Sequence, residues 1–127
     1  MPSYDASSFD PPAPVASVTL RSQDGGAIVH AVVMLVDTGS DVTLLPHVAV
    51  DRLGVLLLAG QSYELVGFDG SRSFAPVVTL DMVFLNRAFR SRYLLIEDDR
   101  GILGRDVLNH VKVLLDGPRR EWSDKVS

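Results

Sequence analysis

Residues 31–46 restrict this chain more than any other part of it. Ala31-Val-Val-Met-Leu-Val-Asp37-Thr38-Gly39-Ser40-Asp41-Val-Thr-Leu-Leu-Pro46 carries six apolar residues straight into an acid, a hydroxyl and a glycine. The apolar run has the length of a buried strand, so Asp37 stands where desolvation would act on its carboxylate and a neighbour could hold it. Thr38 can hydrogen-bond locally, and Gly39 permits a backbone approach that a side chain would block. An acid delivered by a buried strand into a small-residue turn is a candidate for chemistry.

The flanking chain reads as strands and tight turns. Residues 17–21 alternate as a half-buried strand does, Asp24-Gly25-Gly26 supplies a hairpin turn, and 27–36 return as the apolar strand. After the Asp37 turn, 42–45 form a short strand. Pro46 then opens a two-turn helix with Val48, Val50 and Leu53 facing inward and Gly54 closing it. Residues 55–58 suit a buried strand.

Residues 63–74 read as a hairpin with a glycine-bearing tip, since Asp69-Gly70 is a strong local turn signal. Such a hairpin is either a surface feature or a mobile cover over a cleft. Strands over 77–84 and 88–96 are joined at Leu85-Asn86-Arg87. A charged loop, 97–100, leads to Gly101-Ile102-Leu103-Gly104-Arg105, a short helical segment, and a closing strand over 111–116. Residues 1–14, rich in Pro, Ser and Asp, read as a flexible arm, and 117–127 as a polar tail holding Trp122. The protein domain proper is thus expected over 15–116.

Composition removes several functions. With 12 basic and 16 acidic side chains, the net charge of −4 argues against a nucleic-acid partner. No apolar run is long enough to span a bilayer, and the polar start, Met-Pro-Ser-Tyr-Asp, is unlike a signal peptide, so no membrane partner and a cytoplasmic location are expected. Cysteine is absent, which removes thiolate metal sites. His30, His47 and His110 lack metal-ligand spacing and read as structural or exposed, so neither a metal nor any other cofactor is expected. Ser40 has no partners for a nucleophilic triad. Arg87, Arg90 and Arg92 read as a solvated strand edge.

Three features recur in a fixed order: Asp37-Thr38-Gly39, the glycine-tipped hairpin, and Ile102-Leu103-Gly104-Arg105. In that order the chain resembles the retropepsin-like aspartic proteases, single-lobe homodimeric enzymes of retroviral type. The resemblance implies a mainly β chain, a closed barrel of the acid protease fold with a flap hairpin and one or two short helices. It implies that Asp37 is catalytic and that Thr38, Gly39 and Ser40 form the active-site loop, the Thr38 hydroxyl interlocking with its counterpart in the other subunit. Ile102, Leu103 and Gly104 match the segment beneath that loop, and Asp41 matches an acid that pairs with the arginine here at Arg105. Leu65, Val66, Gly67, Phe68, Asp69 and Gly70 match the flap that covers substrate. The arm and tail exceed the family's compact pattern, which leaves room for its dimer sheet, woven from both chain ends, to take another form.

Peptide hydrolysis by water needs a base for the water and an acid for the carbonyl oxygen or leaving amine. The chain contains a single Asp-Thr-Gly. One carboxylate cannot fill both roles, whereas a two-fold homodimer places the same turn of each chain on the axis. The expectation is therefore an aspartic endopeptidase that cleaves polypeptides with Asp37 from two copies. The alternative is a dimeric peptide-binding or scaffold module with little or no hydrolysis. A monomer that dimerises only on substrate is a third possibility.

Overall fold

The computed structural model describes residues 2–54, 62–66 and 70–124. In chain order the elements are β1 (Tyr4–Asp5), β2 (Ala13–Arg21), β3 (Ile28–Val36), β4 (Leu44–Pro46), α1 (His47–Leu53), β5 (Ser62–Val66), β6 (Arg72–Phe84), β7 (Arg87–Ile96), β8 (Gly101–Leu103), α2 (Arg105–Leu108), β9 (Leu114–Asp116) and β10 (Glu121–Ser123). Six strands in the order β2-β3-β8-β4-β7-β6 close on themselves, because β2 also pairs with β6 through Thr19, Leu20 and Arg21. The result is a mainly β closed barrel with two short helices, as the sequence implies.

Period-2 alternation explains which residues fill the barrel. Ala16, Val18 and Leu20 of β2, Met34 and Val36 of β3, and Val78, Leu80 and Met82 of β6 are all buried. One irregularity matters. Between the pairs Val18↔Val32 and Leu20↔Val29, β3 carries one more residue than β2, and Ala31 adopts φ 59°. This β-bulge lets Val29 and Val32, three residues apart, both pack on the core, which strict alternation forbids. A smaller cluster of Leu44, Val77 and Leu94 forms on a separate surface of the sheet.

The turns follow local chemistry. Leu85 and Asn86 both take positive φ in a two-residue hairpin that restarts the sheet at Phe84↔Arg87. Gly54, with φ 75°, closes α1 in the left-handed conformation and donates to Val50 O and Asp51 O. The buried face of α1 is Ala49, Val50 and Leu53, whereas Val48 is exposed. The inward position expected for Val48 belongs to Ala49, because two turns of helix leave the phase to the packing of β3 and β4 against α1. Residues 55–58, expected as a strand, lie outside the described residues.

Strands β1 and β10, in the stretches expected as a flexible arm and a polar tail, are paired within the fold. Tyr4 and Asp5 pair with Pro14 and Ala13, while Ser3 bridges to Glu121 and Tyr4 N donates to Arg120 O at 2.9 Å. Trp122 is 2% exposed, lies 6.1 Å from the Phe84 ring and donates its Nε1–H to Val15 O at 2.7 Å. Residues 111–116 contribute only the short β9, which forms a hairpin with β10. Arg100 fastens the rest of the N-terminal segment, donating to Ser8 Oγ at 2.9 Å with its guanidinium 5.2 Å over Phe9.

Arg87, Arg90 and Arg92, read as a solvated strand edge, are exposed on the part of β7 that pairs with β6 alone among the described strands, since β4 joins β7 only at Leu94–Ile96. Arg90 stands opposite Asp81 on β6. Asp81, 4% exposed, accepts from Arg90 Nε at 2.8 Å and Nη2 at 3.2 Å, with Arg21 Nη2 at 3.4 Å. The Arg90 hydrogen bonds, more than burial opposes them, hold the Asp81 carboxyl below the ordinary aspartate value of 3.8. A lowered folded pKa means stabilisation that is complete above the unfolded value and lost as pH falls through the folded one. Asp81→Asn should therefore melt well below the wild type at neutral pH, with the gap narrowing below about pH 4. Melting curves across a pH series check this, and an undiminished gap near pH 2 would contradict it.

Candidate active site

The position of Asp37 follows from β8 lying between β3 and β4. β8 pairs in parallel with β3 through Met34↔Gly101, Leu35↔Ile102 and Val36↔Leu103, and antiparallel with β4 through Leu44↔Ile102. The β3 ladder runs one residue further, with Asp37 N donating to Leu103 O at 3.0 Å. There the chain turns on itself. Gly39 N donates to Asp37 Oδ1 at 2.9 Å, and Ser40 N donates to Asp37 O at 3.2 Å. One carboxylate oxygen is thereby held by its own loop, and Oδ2 has no hydrogen bond among the described residues. Asp37 is half-buried, with Thr38 and Gly39 exposed beside it. A Cβ at Gly39 would lie 3.1 Å from Asp37 Oδ1, so a side chain there would press on the carboxylate.

Beneath the loop, Leu103 faces the barrel core with no exposure, and Ile102 packs on the Leu44, Val77 and Leu94 cluster. Gly104 passes so close under the loop that a Cβ would meet the Val42 carbonyl carbon at 2.5 Å and Ser40 O at 3.0 Å. Close approach of two backbones is what the glycine allows here. Ser40 Oγ donates to Val42 O at 2.7 Å, and Ser40 O accepts from Arg105 N at 2.8 Å. Residues 102–104 thus run beneath residues 37–42.

The brace differs from the expected one. Arg105 Nη1 donates to Thr38 O at 2.6 Å, and Asp41 is exposed without an ion pair among the described residues. Arg105 N already lies against Ser40 O, so its side chain reaches back along the loop to the Thr38 carbonyl. The carboxylate that ties this region together is Asp106. It accepts from Thr43 N at 3.1 Å and from Thr43 Oγ1 at 2.6 Å, while Thr43 Oγ1 accepts from Gly104 N at 3.0 Å. Thr43 is 1% exposed, so both capacities of its hydroxyl are met inside the protein. Neither residue stood out in the sequence. A threonine and an aspartate 63 positions apart carry no local pattern that marks them as a pair.

Between β5 and β6, Leu65 pairs with Ser73 and Val66 with Arg72. Gly70 takes φ 84°, the conformation that Asp-Gly turns require. Gly67, Phe68 and Asp69 lie outside the described residues. The histidines take ordinary partners. His47 Nδ1 lies 2.5 Å from Glu97 Oε1, which holds its pKa above the usual 6.5, and His30 Nδ1 lies 3.3 Å from Thr19 Oγ1.

Comparison with solved structures places this arrangement. The EIAV protease, solved with the inhibitor HBY-793, superposes with a TM-score of 0.56 at 24% identity over 77% of this chain and 86% of its own. A retropepsin-like aspartic protease from Rickettsia conorii superposes with a TM-score of 0.52 at 20% identity, over 96% of this chain and 93% of its own. The fold is retropepsin-like. No protein-family model and no curated protein matches the chain. The retropepsin-like fold accounts for the barrel, the two helices and the crossing of β8 beneath the Asp37 loop. A fold by itself does not carry an activity, which has to be argued from the site. Among the described residues no helix is long and apolar enough to cross a membrane.

Proposed function

We propose that this chain is an aspartic endopeptidase whose active site forms between two copies, each supplying Asp37. The observation that carries the proposal is the Asp37 loop itself. The acid is half-buried at the end of a core strand, one of its oxygens is fixed by Gly39 N, and its other oxygen is left for a partner. Arg105 on the Thr38 carbonyl and Thr43–Asp106 on the Gly104 backbone keep that loop in one geometry. Preorganisation of this kind favours catalysis, since misplacement of a reacting group by an ångström costs rate.

Two carboxylates about 3 Å apart share a single proton, the established behaviour of aspartic proteases. The ionised Asp37 takes a proton from a bound water as its oxygen attacks the scissile carbonyl. The protonated Asp37 of the second copy gives its proton to the carbonyl oxygen. Collapse of the tetrahedral adduct breaks the C–N bond, and the amine leaves with a proton returned from the dyad. Thr38 and Ser40 set the loop. The substrate class that fits is an unstructured polypeptide segment. Cleavage of such a segment by the wild type and by Asp37→Asn tests the proposal.

A further inference from the structure

Strand β7 loses one of its neighbours partway along. β4 pairs with it through Leu44↔Leu94, Leu45↔Leu95 and Pro46↔Ile96, while β6 follows it from Arg87 to Leu94. Before Leu44 the chain swings off toward Asp106, which accepts from Thr43 N at 3.1 Å and from Thr43 Oγ1 at 2.6 Å. Among the described strands none takes the place that β4 vacates, so residues 87–93 present a bare edge on the side away from β6. A groove runs along that edge. One cavity of about 250 Å³ is bordered by Val42, Thr43 and Leu94, and a second of about 200 Å³ by Phe89, Tyr93 and Val107. Ser91 and Asp106 border both, whereas Asp37, Thr38 and Gly39 border neither.

Charge decides what this edge accepts. Arg87, Arg90 and Arg92 crowd onto one short stretch of β7 in a chain whose net charge is −4, and all three are exposed. Arg90 and Arg92 lie two apart and so share a face of the strand. Asp81 offsets only one charge of the pair Arg21 and Arg90. Its bonds from Arg90 Nε and Nη2 hold that guanidinium in place while the Arg90 side chain stays 60% exposed. A cation already held loses little conformational freedom on meeting an anion. The opposite face of the edge carries Phe89 and Tyr93, which with Val107 give the smaller cavity an apolar side. Arginines on an edge guard it against a copy of itself, since two β7 edges paired about Ser91 would set Arg90 against Arg92. The same row attracts a strand of opposite charge.

We propose that the edge of β7 binds an extended acidic polypeptide segment by strand addition. Two carboxylates spaced two residues apart face Arg90 and Arg92, and the apolar residue between them enters the cavity beside Phe89. Main-chain hydrogen bonds supply affinity in such a mode, and the alternating side chains supply selectivity. The inference goes beyond the reading of Asp37 and does not depend on it.

A fluorescently labelled peptide containing Glu-Val-Glu-Val-Glu, titrated into the full chain bearing Asp37→Asn so that no cleavage intrudes, tests the surface by anisotropy. Saturable binding is expected, and Arg92→Glu should raise the dissociation constant about tenfold or more. Circular dichroism checks the fold of that variant. It should also bind a Lys-Val-Lys-Val-Lys peptide more tightly than the arginine-bearing chain does, a reversal that loss of folding cannot produce. A further arm needs no change to β7. Methylating one alternate set of peptide nitrogens should abolish binding and methylating the other should spare it, because an added strand turns every second N–H toward its neighbour. Binding unmoved by Arg92→Glu, no saturation at millimolar peptide, or indifference to both methylated peptides would overturn the proposal. Equal affinity for a single-stranded oligonucleotide of the same charge would overturn it too, by reducing the arginines to a general polyanion patch.

Discussion

Asp37→Asn should lower kcat/KM for cleavage of an unstructured polypeptide by about 10⁴-fold, the upper end of what acid and base catalysis contributes. The size follows from symmetry: one substitution removes both carboxylates of the dyad. The variant should remain folded, because the asparagine carbonyl oxygen can still accept from Gly39 N, as Asp37 Oδ1 does at 2.9 Å. The loop would then keep its shape while the water lost its base and the carbonyl its acid. Initial rates at mildly acidic pH, with matched circular dichroism spectra, decide the matter. Cleavage within tenfold of the wild type would end the proposal that Asp37 is catalytic.

Gly104→Ala should have the largest effect on stability, about 3 kcal/mol, the upper part of the range for overpacking a filled interior. Its φ of −95° is open to any residue, so backbone strain is not the cause. The cause is the Val42 carbonyl, whose carbon would lie 2.5 Å from the new Cβ, with Ser40 O at 3.0 Å. These are backbone atoms, and they cannot rotate aside as a flexible side chain can. Relief requires β8 to separate from the loop, which pulls on the Gly104 N–Thr43 Oγ1 bond and on Arg105 N against Ser40 O. Denaturant unfolding should show a lower midpoint with an unchanged slope. A midpoint equal to that of the wild type would mean that the loop and its floor part easily.

Much of this architecture is legible in the residues because it rests on local rules. An apolar run ending in Asp37, a glycine hairpin at residues 24–26, Gly54 after a helix and Asn86 in a tight turn each express backbone chemistry within a few positions. At Gly104 the close passage of two backbones demands glycine. What escapes is set by tertiary packing. The bulge at Ala31 has no glycine to announce it, and the choice of Ala49 over Val48 depends on what α1 lies against. Trp122 looks like part of a polar tail until its indole finds Val15 O across 107 positions. The brace differs from the expected pair for the same reason. Arg105 and Asp41 are both near the loop, but Arg105 spends its reach on a carbonyl, and the buried partner, Thr43, selects Asp106.

These features converge on one claim, that Asp37 is half of an active site whose other half is the same residue on another chain. Mixing tests it most directly. Wild type and Asp37→Asn are combined in equal parts at fixed total concentration, allowed to exchange subunits, and assayed against the same polypeptide. If both carboxylates are needed, only wild-type pairs cleave, and activity should fall to about one quarter of that of the pure wild type. If each chain carried a complete site, activity would follow the wild-type fraction and stand at about one half, which would contradict the account.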